Sequence, residues 1–123
     1  MGESEVTLSN GLVQRVTVTP SDPAIGDEIE IRSVVRNAGE RTPRFLTNVC
    51  RLDLDTALEL SIAPEWGECK GLPRQTDLAP GDSIVVLTRQ KVHGEPGEYE
   101  VRVLHVLEPA HWVPVKVRLQ PLS

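Results

Sequence analysis

Apolar and polar positions alternate with a period of two along much of this chain, the spacing that sends successive side chains to opposite faces of a strand. The clearest run is Glu28 to Asn37, where Ile29, Ile31, Ser33 and Val35 share one face. Glu28, Glu30, Arg32 and Arg36 share the other, and Val34 is the exception. Val16 to Thr19 alternates in the same way and stops at Pro20. Phe45 to Leu54 predicts a third strand with Leu46, Cys50, Leu52 and Leu54 on one side. Ser83 to Val92 is apolar on both faces and reads as an interior strand, and Tyr99 to Leu107 follows the turn Gly94-Glu95-Pro96-Gly97. Val113, Val115, Val117 and Leu119 alternate with Pro114, Lys116, Arg118 and Gln120 to close the pattern.

Thr56-Ala57-Leu58-Glu59 is open to two readings. It fits a capping box at the start of a short helix, whereas Leu58, Leu60 and Ile62 alternating with Glu59 and Ser61 fit a strand, the reading preferred here. Between the runs lie turn signals, Pro20-Ser21-Asp22-Pro23, Asn37-Ala38-Gly39-Glu40 and Leu78-Ala79-Pro80-Gly81-Asp82. Seven strands joined by Gly/Pro turns predict an all-β fold, a two-sheet sandwich of the immunoglobulin-like kind. The sandwich is placed at residues 12–121, behind a flexible lead of residues 1–11. The longest irregular stretch runs from Ala63 to Asp82. A loop of that length in a compact domain calls for a function or a fastening.

Composition sharpens the fold class. There are 16 Val and 5 Ile against 6 Ala, and β-branched side chains suit a pleated surface better than a helix. The 10 Pro leave almost nowhere for a long helix. At 123 residues the chain suits one domain. Its net charge of −5 argues against a nucleic-acid binder, which needs a basic face. No apolar run is long enough to insert in a bilayer. Met1-Gly2-Glu3-Ser4-Glu5 lacks the basic and apolar regions of a secretory signal, so an excised or mature domain and an intracellular protein both fit the start of this sequence.

Candidate chemistry is sparse. Gly-x-Ser-x-Gly, dinucleotide and phosphate-loop patterns are absent, so neither a hydrolytic triad nor a nucleotide cofactor is expected. His105 and His111 flank Glu108 and Pro109 at a spacing foreign to metal sites, and no metal is expected. Alternation with Tyr99, Val101 and Val103 turns His105 inward, toward a backbone hydrogen bond. Asp53 and Asp55 share a strand face as a solvated acidic edge. Arg36, Arg41 and Arg44 gather near one turn as charge that discourages edge pairing. Trp112 and Trp66 are two of four aromatics. Trp66, with Glu65 and Glu68 beside it in the long loop, reads either as a ring covering the core or as a binding anchor.

The order Asp22-Pro23-Ala24-Ile25-Gly26-Asp27-Glu28-Ile29, Val35-Arg36-Asn37-Ala38-Gly39, Leu78-Ala79-Pro80-Gly81 and Gly97-Glu98-Tyr99-Glu100-Val101 resembles the CARDB domains. These are cell-adhesion-related immunoglobulin-like modules of bacterial and archaeal surface proteins. The likeness covers roughly residues 12 to 120, and intracellular proteinase inhibitors share parts of it. It implies a monomeric, non-enzymatic adhesion or accessory module of an extracellular, cell-surface or periplasmic protein, with a protein or surface glycan as partner and without cofactor. A stand-alone binding or inhibitor-like protein using the 64–72 loop is the alternative. The Cys-bearing loop departs from the family pattern. In a surface-type β-domain Cys50 and Cys69 read first as a disulfide tying that loop to the third strand, with two reduced thiols as the other reading.

Overall fold

The computed structural model describes residues 2–8, 10–49, 51–62, 72–108 and 110–122. Ten strands appear among them: β1 (Gly2–Thr7), β2 (Leu12–Thr19), β3 (Glu28–Asn37), β4 (Arg44–Thr47) and β5 (Asp53–Asp55). They continue with β6 (Glu59–Ile62), β7 (Arg74–Asp77), β8 (Ser83–His93), β9 (Gly97–Glu108) and β10 (Ala110–Leu119). One sheet runs β1-β2-β3-β8-β6 and the other β10-β9-β4-β7, with β5 pairing β9 beyond the end of β4. All strand pairs are antiparallel. This is the all-β sandwich that the alternation predicts.

The inner faces follow the period-two pattern. Leu12, Val16 and Val18 of β2 and Ile29, Ile31 and Val35 of β3 are buried, and so are Val101 and Val103 of β9 with Val113, Val115, Val117 and Leu119 of β10. Arg15, Arg32 and Arg36 lie on the exposed face of their strands. At ~25 cal/mol per Å² of apolar surface removed from water, burial of these branched side chains dominates the favourable side of folding.

Two turns explain the Gly-Asp pairs. Asp27 N–H donates to Ala24 O at 3.0 Å with Gly26 at φ +91°, and Asp82 N–H donates to Ala79 O at 3.0 Å with Gly81 at φ +85°. A positive φ at the third position is the type II turn, which a side chain there would strain. Thr56 resolves the ambiguous stretch. Its hydroxyl accepts from Leu58 N–H at 3.1 Å and donates to Glu100 O at 2.8 Å, and the chain continues as β6.

Three features differ from expectation. Residues Gly2–Thr7, expected as part of a flexible lead, form β1 in register with Val13–Val18. Gly2 fits because an added Cβ would meet Lys116 O at 3.0 Å. The run Phe45–Leu54 is two strands: Asn48 N–H donates to His105 O, and its Nδ2 donates to Leu104 O at 3.2 Å, filling the ladder where β4 leaves β9. An extra edge strand, β7, lies along β4.

Candidate functional site

The buried core is divided. Val16, Val18, Ile29, Ile31, Val101 and Val103 belong to one apolar cluster, and Leu8, Leu12, Val35, Phe45, Leu78 and Val106 to another. The residues between them on three strands are polar: Gln14 separates Leu12 from Val16, Ser33 separates Ile31 from Val35, and His105 separates Val103 from Val106. All three are fully buried. Gln14 Nε2 donates to Ser33 Oγ at 3.1 Å, and Ser33 Oγ lies 2.8 Å from His105 Nδ1. Ser33 Oγ accepts from Gln14 and keeps both its own hydrogen and a second lone pair, so it can pair with Nδ1 in either imidazole tautomer.

Burial lowers the His105 pKa from 6.5 to about 4, with the backbone of Asn48 acting weakly in the opposite sense. The side chains that β2, β3 and β4 bring to this layer are uncharged, so no opposite charge compensates an imidazolium there. His105 points inward, as the alternation predicts. Its short contact is to the Ser33 side chain, and the backbone of Asn48 also acts on the ring. A serine hydroxyl on an imidazole is the arrangement of an activated nucleophile. Here both partners are sealed from solvent.

A second Ser–His contact is exposed. Ser61 Oγ lies 3.2 Å from His93 Nε2, and Glu59 is the register partner of His93. It stands on the outer side of an edge strand. No group of three or more His, Cys, Asp and Glu residues able to hold a metal occurs among the described residues.

The open face of the second sheet is more distinctive. In register across it run Asp53–Leu104–Trp112 and, one step on, Asp55–Arg102–Pro114. Trp112 remains 41% exposed. Asp53 receives Asn48 Nδ2 at 3.4 Å and faces Arg51 at 3.7 Å, and Asp55 is in contact with Arg102. Asp53 and Asp55 therefore share a face, as expected, and each has a cationic partner.

The remaining expected residues divide between the two sheets or fall outside the described structure. Arg36 is on the outer face of β3 and Arg44 is on β4, opposite Asp77, with Arg41 in the turn between them; all three are exposed. Glu65, Trp66 and Glu68 of the loop lie outside the described residues, as do Cys50 and Cys69. The segment that holds the loop joins β6 of one sheet to β7 of the other. Gln14 and Ser33 were not among the candidate residues. The available signal was two polar side chains at inward positions of otherwise apolar strand faces.

Comparison with known proteins places the fold. No family model and no curated protein matches the chain. Among solved structures it is similar to the native conformation of E. coli alpha-2-macroglobulin, at TM-score 0.57 and 15% identity. That match covers 92% of this chain and 8% of the other, so the chain spans a small part of the protein it resembles. A β-glucosidase from Erythrobacter marinus aligns at TM-score 0.47 and 18% identity, over 85% of this chain and 15% of that one. Among the described residues, no helix is long and apolar enough to cross a membrane.

Proposed function

We propose that this sandwich is a non-enzymatic interaction or structural accessory module of a larger cell-surface or secreted protein, of the adhesion-related kind that its turn residues resemble. The observation that carries this reading is where the chain keeps its reactive groups. The Ser33–His105 pair is enclosed between two apolar clusters, whereas the outer face of the second sheet presents an indole among paired polar side chains. Enclosure suits packing, and an exposed aromatic ring suits binding. The likeness to a small part of a far longer chain supports the module reading.

The test is turnover. Purified protein is incubated with generic ester, phosphate, glycoside and peptide substrates, alongside Ser61→Ala and His93→Ala variants. No release above buffer is expected from any of the three. Turnover that disappears in either variant would establish the exposed Ser61–His93 pair as catalytic and overturn this reading.

A further inference from the structure

The face around Trp112 has a specific chemistry. β10 contributes two ring side chains, Trp112 and Pro114, on one face, and β5 contributes two carboxylates, Asp53 and Asp55, in the same two rows. Leu104 and Arg102 of β9 lie between them. With strands about 4.8 Å apart, the carboxylates stand roughly 10 Å from the rings. Leu104 faces outward yet is only 8% exposed, which leaves Trp112 as the exposed large hydrophobic residue of these three strands.

We propose that this face binds a neutral oligosaccharide, one pyranose ring stacking on Trp112 and the hydroxyls of the next sugar unit reaching Arg102, Asp53 and Asp55. The proposal rests on the reading of this chain as a binding module and names its ligand class. Three observations favour a sugar. An indole offers a flat apolar surface about the size of a pyranose ring, whose axial C–H groups form an apolar face of their own. A stable protein partner would bury about 800 Å² on each side around an apolar centre. Here a single exposed indole is bordered by ion pairs. Those ion pairs also select against charged ligands. Asp55 is held by Arg102 and Asp53 by Arg51 and Asn48, so an ionic group would have to displace a resident partner. A hydroxyl donates to a carboxylate and accepts from a guanidinium without displacing either.

The test is titration of ¹⁵N-labelled protein with cellohexaose, laminarihexaose, mannohexaose and chitohexaose. Binding by at least one should shift the Trp112 indole N–H together with the amides of Asp53 to Asp55 and Leu104. Trp112→Ala should weaken that binding by about tenfold or more, and Trp112→Phe, which keeps a ring, by less. Amide spectra of each variant separate lost binding from lost folding. No shift with any of the four sugars, or binding that survives Trp112→Ala, overturns the proposal. The recovered sugars are also analysed for chain length: cleavage would overturn the module reading itself, whereas absent binding overturns the ligand class alone.

Discussion

Ser33 Oγ lies 2.8 Å from Nδ1 of His105, a contact between the two sheets by residues 72 apart in sequence. It marks where the core changes character, because the side chains on one side belong to one apolar cluster and those on the other to a second. A polar layer at this position fixes which residues of β3 face which residues of β9. Its cost is that Gln14 Oε1 and His105 Nε2 are buried without a hydrogen-bond partner among the described residues.

That layer makes stability depend on pH with a definite sign. His105 titrates at about 4 when folded and near 6.5 when unfolded. Between those values the unfolded chain binds the proton and the folded chain does not, so acid favours unfolding. The contribution of His105 is fully present above pH 6.5, is lost as pH falls toward 4, and changes little below that. The gap between the folded and unfolded values corresponds to about 3 kcal/mol. Urea unfolding at intervals from pH 7.5 to 4 should show this slope, and His105→Leu should flatten it by most of that amount. An equal slope in the variant would assign the acid sensitivity to other groups.

Ser33→Ala should be more damaging than its size suggests. It removes one small hydroxyl but strands both the Gln14 amide and His105 Nδ1, for a loss of about 2–4 kcal/mol. Replacing the whole layer by Gln14→Leu, Ser33→Ala and His105→Leu should recover most of that loss, because none of these three side chains then leaves a polar atom without a partner. Denaturation midpoints of the single and triple variants decide the point. A triple variant less stable than Ser33→Ala would mean that the layer contributes net stability.

Asn37 joins three parts of the chain at the opposite end of β3. Its Nδ2 donates to Arg41 O at 2.6 Å and to Leu78 O at 2.8 Å, and its Oδ1 accepts from Gly39 N–H at 2.9 Å. Asn37→Ala leaves two carbonyls and one N–H unpaired where the β3–β4 turn meets the approach to β8. The expected loss is about 2–4 kcal/mol by thermal or urea unfolding. A loss under about 0.5 kcal/mol would show that water replaces all three bonds.

What the sequence shows and hides follows from burial. β3 and β10 are legible because one face meets the core and the other meets solvent, so Ile29, Ile31 and Val35 or Val113, Val115 and Val117 mark the period. β1 and β7 are edge strands, with Val6 as the sole aliphatic side chain of the first and none in Arg74–Asp77. Backbone pairing holds them, and it leaves little trace in residue type. β2 was legible only from Val16 because Gln14 puts a polar side chain at an inward position. His105 could be aimed inward from its own strand. Its partner could not be found, since Ser33 comes from another sheet. Trp112 stands out in the sequence as a rare aromatic, but Asp53 and Asp55 share its face only through the register of β5, β9 and β10.

Cys50 and Cys69 give a separate test. Their pairing is expected from the surface-type reading, and closing a loop of about 20 residues would add ~3 kcal/mol in the chain-entropy account. Alkylation under non-reducing conditions followed by intact mass should label neither cysteine, and reduction should lower the melting temperature. Two readily labelled thiols in the folded protein would remove both the disulfide and its support for an extracellular location.

The most direct measurement is the ¹⁵N chemical shift of the His105 imidazole as a function of pH, because the account places the interior serine–histidine pair in packing and the working surface outside. The result it requires is a neutral ring from pH 7.5 to about 5, exchanging slowly with water, and protonating only near pH 4. Protonation near 6.5 with rapid exchange would put His105 in contact with solvent. It would then contradict the sealed layer and return the Ser33–His105 pair to consideration as a reactive site.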